Sequence, residues 1–471
     1  MDAAELAFAG PLRHAELIRD GEISPRELVQ VYLDRIERID PQLNAFRVVL
    51  AERALTEAKQ AARRKASQER PLLGVPFAIK DNHDLTGEVT THGTGAYDRA
   101  PAHEDAEIVR RLRAAGAIPI GKTLLPELAI SGFTESATWG VTRNPWNLDH
   151  SPAGSSGGSA AAVVTGMASF ATASDGAGSI RYPAANCRVF GLKPQRGRVS
   201  LLPDAEHWHG LSVAGVHTVS VRDQAAILDV IAGPAPGDAD TPPAWDRPLA
   251  DAAASAPRKL RVGVSTKSPL PGVPVAAACR QAVDEIAELL RSLGHDVSPC
   301  EPDYGMFAAN AFVPRYMHGI REDVMRMPHP ERLERRTRGF ARQGVLYGPL
   351  VARARQQEAV YAKRIFTVFD ERDVLLTPMT AQPPIEVMRW EGLGATRTVN
   401  GMSRVYPFAA VWNTLGNPAA SVPALLDEDG LPIAVQLVAR PNDEHTVVAL
   451  AGQIEAERPW ADPKPPLAVS A

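Results

Sequence analysis

The sequence has few cysteines, few aromatic residues and almost no charge imbalance. Its three cysteines, Cys187, Cys279 and Cys300, lie far apart in 471 residues and form no C-x-x-C pair. This spacing argues against a disulfide framework and against a zinc site, and it fits a reducing compartment. The formal net charge of −4 gives no reason to expect a polyanionic partner such as a nucleic acid.

The N-terminus lacks the basic and apolar segments that make a signal peptide. One uncharged stretch, 151–174, is long enough for a membrane helix by residue count alone. Its first third is mostly glycine and serine, so we interpret it as a buried loop followed by a core helix. We therefore expect a cytoplasmic protein that contacts neither a membrane nor a nucleic acid.

Local signals predict individual elements of secondary structure. Ser24, Pro25 and Glu27 form a capping box that begins a helix, which we expect to end before Pro41. A second helix is predicted over 51–67 from its alanine and charged residues. Apolar residues at 77–79 predict a short buried strand. We also predict a short helix over 125–131 and a mostly helical segment over 301–370.

Lys80 follows this predicted strand directly. A lysine at the end of a strand ordinarily extends its amine to solvent. However, only 9 of the 51 basic residues are lysines, and the other 42 are arginines. Because a desolvated lysine can lose its proton and an arginine cannot, Lys80 is a candidate base.

Two turns rich in glycine and serine flank an alanine-rich segment. The first, 154–159, contains Ser155 and Ser156, and the second, 176–179, ends in Ser179. Glycine lets the backbone approach a ligand closely and direct N–H groups toward it. One helix and one strand fit between the turns, so both turns could meet at one end of a sheet. A serine nucleophile with backbone donors beside it is the chemistry that this pattern suggests.

An alternative interpretation places the nucleophile at Ser156. The residues 154–158 match G-x-S-x-G, the nucleophile elbow of α/β-hydrolases. The elbow requires a strand directly before it, whereas here a turn-rich loop containing Pro145 and Pro152 precedes the motif. This context argues against the elbow.

A second alternative is a phosphate-binding loop at 116–123. The residues GAIPIGKT match the P-loop pattern in every letter. A P-loop needs a strand before a flexible glycine-rich loop, but here a predicted helix precedes and the loop positions read as an apolar strand. We therefore interpret this match as structural.

Taken together, the motifs around these residues resemble those of the amidase signature family. The resemblance covers most of the chain, and its motifs are specific only in combination. They are 74–81 (GVPFAIKD), 121–123 (GKT), 144–146 (NPW), 154–159 (GSSGGS), the block 175–198, 417–423 (NPAASVP) and 430–432 (GLP). Members of this family commonly carry Gly-Lys-Thr at the end of the apolar strand that precedes 121–123 here, which accounts for the P-loop match.

The resemblance implies a role for each of three residues. Ser179 would be the acylated nucleophile, Ser155 a bridging serine on a cis peptide, and Lys80 the neutral base beneath it. The resemblance also implies that backbone N–H groups from Gly176 to Ser179, among them those of Gly176, Ala177 and Gly178, form an oxyanion hole.

The sequence departs from the family pattern at some positions. Where members often have two glycines before the nucleophile, this chain has Ala177 and Gly178. We expect Ala177 to avoid a positive φ, which would cost about 1–2 kcal/mol. We also expect Asp175 and Arg181 to pair structurally and hold the turn. The segment after Val199 lacks the Ser-Ser-Leu-Asp-Gln typical of the glutamine-transamidating subunit.

Predicted strands alternate with predicted helices along the chain, which indicates an α/β fold. With the resemblance, we expect a central mixed, twisted sheet layered between helices. We predict a single large domain, 1–471. Its parts are an N-terminal helical layer (1–67), a catalytic core (68–233), a variable helical region with the substrate pocket (234–370), and C-terminal strands with a closing helix (371–471).

The family's pocket segments supply the candidate substrate-binding residues of this chain. Scattered aromatic residues are more often core than pocket, but those here favour an apolar or aryl acyl group. The principal candidates are Ser131, Trp208, Tyr316 and Trp412, and the same segments also contain His209, Phe312 and Trp390.

The sequence-based hypothesis is a serine amidohydrolase for a small amide, with esters as further substrates. It requires no metal and no other cofactor, and a homodimer is left open. The alternative is a glutamine-hydrolysing amidotransferase subunit of a larger complex, or a non-catalytic scaffold of the same fold.

Overall fold

Strands and helices alternate along the chain in the computed structural model, which describes residues 1–64, 67 and 69–469. The strands are β1 (Phe46–Val49), β2 (Pro76–Lys80), β3 (Ile118–Thr123), β4 (Glu135–Ser136), β5 (Gly140–Val141), β6 (Ala171–Asp175), β7 (Gly191–Lys193), β8 (Val213–His217), β9 (Arg261–Val264), β10 (Asp296–Pro299), β11 (Val374–Pro378), β12 (Ala419–Leu426) and β13 (Pro432–Ala439). The helices are α1 (Ala3–Ala7), α2 (Pro11–Arg19), α3 (Pro25–Leu43), α4 (Ala51–Ala61), α5 (Glu107–Ala114), α6 (Gly157–Val164), α7 (Arg181–Cys187), α8 (Val221–Ile231), α9 (Leu249–Ala253), α10 (Ala277–Ser292), α11 (Val313–Arg326), α12 (Arg335–Tyr347), α13 (Val351–Ile365), α14 (Val368–Glu371), α15 (Ala395–Val405), α16 (Ala410–Leu415), α17 (Glu444–Glu457) and α18 (Pro466–Val469). The predicted α/β class is confirmed.

The central sheet is built from two hydrogen-bonded sets of strands. One set has the order β1-β3-β2-β6-β8 and the other the order β10-β9-β11-β13-β12-β7. Both mix parallel pairs, such as β2 with β3, and antiparallel pairs, such as β12 with β13. A single antiparallel bridge between Phe190 and Thr218 joins the two sets beside β7 and β8. The mixed sheet that the sequence predicted is therefore interrupted where the two sets meet.

Helices cover both faces of the first set of strands. In β2, Phe77 and Ile79 belong to the hydrophobic cluster that includes α5 and α8, whereas Ala78 belongs to the cluster that includes α3 and α6. Successive residues of a strand point to opposite faces of its sheet. Lys80 therefore points toward the α6 side, where the first glycine-serine turn leads into that helix.

Two helix ends differ from the sequence prediction. Helix α3 continues through Pro41 to Leu43, because a proline in the last turn removes only one hydrogen bond, and Asn44 then ends the helix with a φ of 53°. Helix α4 ends at Ala61 rather than at 67, because its buried alanine stripe stops there. Part of the predicted extension, residues 65 and 66, lies outside the described residues.

The segment 301–370 is mostly helical, as predicted, and its main helices are α11, α12 and α13. Helix α11 packs against α12 and supplies Tyr316 and Ile320 to a hydrophobic cluster near the second glycine-serine turn. No helix in the described ranges is both long and apolar enough to span a lipid bilayer.

Candidate active site

Lys80 lies in the protein interior at the end of β2. Its backbone N–H donates to Thr172 Oγ1 on β6 at 2.9 Å. Its side-chain Nζ lies 2.8 Å from Ser155 Oγ and 2.9 Å from Ser174 Oγ. Two hydroxyl groups thus hold this amine, and one of them belongs to the first glycine-serine turn.

The surroundings of Lys80 favour its neutral form. Burial lowers the pKa of Lys80 to about 7, and the negative charge of Asp175 opposes this shift only in part. The cause is that the buried ammonium ion loses its hydration. At neutral pH a substantial fraction of this side chain is therefore a free amine that can accept a proton.

Ser155 lies in the loop before α6, and its peptide bond to Gly154 is cis. The backbone here is packed so closely that a Cβ on Gly154 would lie 2.6 Å from Phe133 N. Ser155 is almost fully buried and lines a cavity that Lys80 does not line. Ser155 therefore stands between the buried amine and the cavity.

Ser156 has a different environment and does not line that cavity. Its hydroxyl donates to Ser174 O at 3.3 Å and accepts from Ser174 N at 3.4 Å. The described chain between β5 and α6 is a loop, so no strand leads into Ser156 as a nucleophile elbow requires. Ser156 thus has a structural role that joins the start of α6 to the end of β6.

Ser179 lies in the turn between β6 and α7 and lines the same cavity as Ser155 and Ser174. It is half-buried. Across all described residues, its hydroxyl has no hydrogen-bond partner. The hydroxyl is thus unengaged, and a direct hydrogen bond between Ser179 and Ser155 is not formed.

The N–H groups around the second turn divide into two sets. The N–H of Gly178 donates to Asp175 Oδ1 at 2.6 Å. Those of Gly176, Ala177 and Ser179 have no acceptor within the described residues. This corrects the expected donor set at one position, because Asp175 occupies the N–H of Gly178.

The backbone of this turn explains its glycines. Gly178 has a φ of 122°, which strongly favours glycine, whereas Ala177 avoids the positive region, as predicted. At Gly176, a Cβ would lie 2.7 Å from the ring of Trp208. The indole thus packs directly against the peptide that carries free N–H donors.

A buried ion pair holds the turn in place. Arg181 Nε lies 3.0 Å from Asp175 Oδ2, and both side chains are fully buried. Asn413 Nδ2 also donates to Asp175 Oδ1 at 2.8 Å. Burial acts to raise the pKa of Asp175, but the charge and hydrogen bonds of Arg181 outweigh it and hold the pKa well below its usual range. The structural pairing that the sequence predicted is confirmed.

The Gly-Lys-Thr segment at the end of β3 is likewise part of the framework. Lys122 Nζ pairs with Asp81 Oδ1 at 2.9 Å, and neither side chain is exposed. Lys122 also donates to Thr90 Oγ1 at 2.6 Å. Helix α5 precedes β3 where a P-loop needs a strand, so this segment does not have the context of a phosphate-binding loop.

Two cavities meet at Ala129, Ser179 and Trp208, which line both of them. The first, called the polar cavity because several ionisable side chains line it, has a volume of about 330 Å³ and also contains Ser155. Its other polar side chains include Asn82, His83, Asp84, His92, His207 and Asp323. The apolar cavity has a volume of about 370 Å³, and its lining includes Ile130, Phe307, Phe312, Tyr316, Met402 and Tyr406.

Most of the predicted pocket residues lie at these cavities. Ser131, Phe312 and Tyr316 line the apolar cavity, and Trp208 lines both cavities. Ser131 lies two residues after a 3-10 turn, Glu127–Ala129. This turn replaces the predicted helix 125–131. Ala129 has a φ of 57°, which is incompatible with a continuing helix.

The structure corrects the predicted position of Trp412. It was predicted to line the pocket, but it lines neither cavity and is only 1% exposed. It packs in a separate hydrophobic cluster, with its ring 6.4 Å from that of Phe369. Trp390 packs against Phe133 in the core, and His209 lines neither cavity.

The sequence analysis missed polar side chains that line the same cavity as Ser179. Asn82 Nδ2 donates to Ser174 Oγ at 3.1 Å, and its place two residues after Lys80 was a usable signal. His207 Nε2 lies 3.1 Å from Asp323 Oδ2. Burial opposes ionisation of His207, but the charge of Asp323 outweighs it and raises the pKa of His207. These two residues lie far apart in the chain, so no local pattern predicts their contact.

A family model described as Amidase matches residues 27–448. The chain belongs to the amidase family. It is therefore an amide hydrolase, and the resemblance drawn from the sequence motifs is confirmed. The motifs that carried it surround Lys80, Ser155 and Ser179, which the fold brings to one buried region.

Curated relatives and a solved structure extend this result over the whole amidase chain. It is 48% identical over 469 residues to the provisionally named amidase AmiB2 of Mycobacterium tuberculosis, with 99% of each chain covered. It is 34% identical to the 6-aminohexanoate-cyclic-dimer hydrolase of Paenarthrobacter ureafaciens, with 96% of this chain and 95% of that protein covered. A structure of 6-aminohexanoate cyclic dimer hydrolase complexed with substrate matches with a TM-score of 0.90 at 32% identity, over 98% of this chain and 99% of the other.

Proposed function

We propose that this amidase cleaves the C–N bond of a small amide that has an apolar or aryl acyl group, through an acyl-enzyme on Ser179. The observation that carries the proposal is the 2.8 Å contact between Lys80 and Ser155 beside a cavity that Ser179 also lines. A serine hydroxyl is a weak nucleophile until a base takes its proton. Lys80 is a buried amine whose pKa is lowered to about 7, which suits this role.

The proton path runs through Ser155. Neutral Lys80 accepts the proton of Ser155, and Ser155 accepts the proton of Ser179 as the Ser179 oxygen attacks the carbonyl carbon. For this step the unengaged hydroxyl of Ser179 turns toward Ser155 when substrate binds. Catalytic hydrogen bonds often tighten only in the complex with substrate.

The negative charge that develops on the carbonyl oxygen needs fixed donors. The free N–H groups of Gly176, Ala177 and Ser179 supply them, while Asp175 holds the intervening N–H of Gly178 and thereby fixes the turn. A single donor of this kind typically contributes about 3–4 kcal/mol to transition-state stabilisation. No side chain has to move to provide them.

The same path runs in reverse for the leaving group. The protonated Lys80 returns its proton through Ser155 to the amide nitrogen, the C–N bond breaks, and the amine leaves. A water molecule then attacks the ester carbonyl of acylated Ser179 and gives its proton to the same relay, which returns a proton to Ser179 Oγ as the ester C–O bond breaks. The products are a carboxylic acid and an amine, and all three side chains are restored.

The two cavities suit the two halves of an amide. The apolar cavity, lined by Phe312 and Tyr316, takes the acyl group, and the polar cavity beside Ser155 takes the amine and the hydrolytic water. The relatives named as cyclic-dimer hydrolases extend the proposed substrates to cyclic aliphatic amides.

The chain acts without ATP and without a partner subunit in this proposal. Lys122, the lysine that would contact a phosphate in a P-loop, is fully buried and paired with Asp81. No charge of that segment remains available for a nucleotide. Glutamine hydrolysis within a larger complex is the competing possibility.

The purified chain tests the proposal directly. Two anilides of similar length, hexanoyl and glutaryl, differ in the carboxylate at the end of the glutaryl chain. The expected result is release of aniline from the hexanoyl substrate without ATP, a much lower kcat/KM for the glutaryl one, and loss of both in Ser179→Ala. An unchanged rate in Ser179→Ala would contradict the acyl-enzyme, and ATP-dependent ammonia release from glutamine would favour the amidotransferase.

A further inference from the structure

Two histidines and a glutamate lie together outside the two cavities. His318 and Glu322 occupy one face of α11, four residues apart, and His209 approaches them from the segment that follows Trp208. One potential ligand atom from each residue lies within 4.8 Å of the other two. His209 Nε2 is 3.2 Å from one oxygen of Glu322, and His318 Nε2 is 3.7 Å from the other.

Contacts outside the cluster orient the ring of His318. His318 Nδ1 lies 3.2 Å from the carbonyl oxygen of Gly344. Because a carbonyl oxygen can only accept, Nδ1 carries the proton, and the lone pair of the neutral ring is at Nε2, which faces Glu322. Gly348 leaves room for this orientation, because a Cβ there would lie 2.8 Å from the ring. A backbone carbonyl that fixes the tautomer in this way is typical of histidines that bind metals.

His209 is held from its backbone side. The fully buried side chain of Arg315 donates from Nε and Nη2 to His209 O, at 2.9 and 2.6 Å. Within the described part of the chain, His209 Nε2 is buried and has no hydrogen-bond partner, although Glu322 Oε2 lies 3.2 Å away. A buried imidazole nitrogen that faces a carboxylate without a hydrogen bond is an observation that a shared cation would explain.

We propose that His209, His318 and Glu322 bind one divalent cation of the zinc type, with water completing its coordination. Two imidazoles and one carboxylate are a common set of protein ligands for Zn²⁺ at bond lengths of about 2.0–2.2 Å. From their present separation, the ligand atoms need to approach by less than about 1 Å to meet these bond lengths. The carboxylate of Glu322 is 43% exposed and has room to make this movement.

The ion would connect two segments that form the wall of the polar cavity. Trp208 and Asp323, the chain neighbours of two ligands, both line that cavity, and Trp208 Nε1 donates to Asp323 Oδ2 at 2.7 Å. The cation lies outside the cavity and takes no part in the proposed reaction. Its role is to fix the segment that carries Trp208 against α11.

Metal binding is measured on the tag-free, full-length protein after treatment with a chelator. Co²⁺ should bind with one equivalent and give a visible d–d absorption band, Zn²⁺ should displace it, and Zn²⁺ should raise the melting temperature. Mg²⁺ should not compete, because it prefers oxygen ligands.

Variants identify the ligands. His318→Ala and Glu322→Gln should each weaken Zn²⁺ binding by at least about 100-fold, since even outer partners of metal ligands change affinity by 10–100-fold. The exposed histidine His103 provides the control His103→Ala, which should bind as the wild type does. Absence of saturable Co²⁺ and Zn²⁺ binding, or binding that is unchanged in His318→Ala, would overturn the proposal. Because these readouts do not depend on amide hydrolysis, they leave the proposed function untouched.

Discussion

Lys80 Nζ lies 2.8 Å from Ser155 Oγ, and both side chains are shielded from water. This contact joins a sequence position at a strand end to one in a glycine-serine turn. It gives the buried amine a hydroxyl with which to exchange a proton. Its chemical consequence depends on which protonation state of Lys80 is present.

The rate should therefore increase with pH through the ionisation of Lys80. Burial lowers the pKa of Lys80 to about 7, so the protonated form predominates at lower pH and cannot accept a proton from Ser155. We expect kcat/KM to be low in acid, to rise around pH 7, and to level off at alkaline pH. The profile is measured with a neutral anilide, whose own charge does not change in this range.

A matched variant separates the effect of Lys80 from that of a histidine in the polar cavity. His207 lines the polar cavity and has a raised pKa. His207→Gln should retain the rise in rate near pH 7. Loss of that rise in His207→Gln would assign the ionisation to the histidine.

Lys80→Arg should fold and lose activity. Arginine keeps the positive charge but stays protonated at any ordinary pH, so it cannot serve as a base. The expected loss is about 10²–10⁴-fold in kcat/KM, the usual contribution of general acid–base catalysis. An anilide should lose more than the matched nitrophenyl ester, because an amine needs a proton to leave and a nitrophenolate does not. Equal losses would remove Lys80 from the leaving-group step.

The ion pair of Asp175 and Arg181 should dominate the stability of the nucleophile turn. Both side chains are fully buried, and Asp175→Asn leaves the charge of Arg181 uncompensated. The expected decrease in the free energy of unfolding is about 3–5 kcal/mol, measured by urea denaturation. Glu288→Gln removes an exposed partner of Arg291 and should have a much smaller effect. Similar effects of the two substitutions would contradict the structural role of the buried pair.

Two tryptophans distinguish the cavity wall from the core. Trp208 packs on Gly176 and lines both cavities, so Trp208→Ala should lower kcat/KM by about 10–100-fold by loosening the position of the substrate. Trp412 lies in the core, and its indole N–H has no partner among the described residues. Trp412→Phe should therefore leave kcat/KM unchanged. A large loss of activity in Trp412→Phe would return this residue to the pocket.

Much of this arrangement could be predicted from sequence. The alternation of strands and helices predicted the fold class, and motifs far apart in the chain predicted the grouping of Lys80, Ser155 and Ser179. The scarcity of lysine was a weaker signal, because Lys122 and Lys193 are also fully buried and have structural contacts. What distinguishes Lys80 is its contact with Ser155, which only the tertiary structure shows.

Other features depend on packing that no local pattern encodes. Whether an aromatic residue such as Trp412 lines a pocket or fills the core is decided by distant elements. The engagement of the Gly178 N–H had a local signal, since an aspartate three residues earlier, here Asp175, often accepts such a bond. The contact of His207 with Asp323 had none.

The central claim, a nucleophile at Ser179, is tested most directly by locating the covalent adduct of a serine-directed fluorophosphonate. The protein is labelled, digested and mapped by mass spectrometry, with Ser179→Ala as the control. The account predicts one adduct on the peptide that contains Ser179, at that residue, and no labelling of the variant. An adduct on Ser156, or labelling that persists in Ser179→Ala, would contradict it.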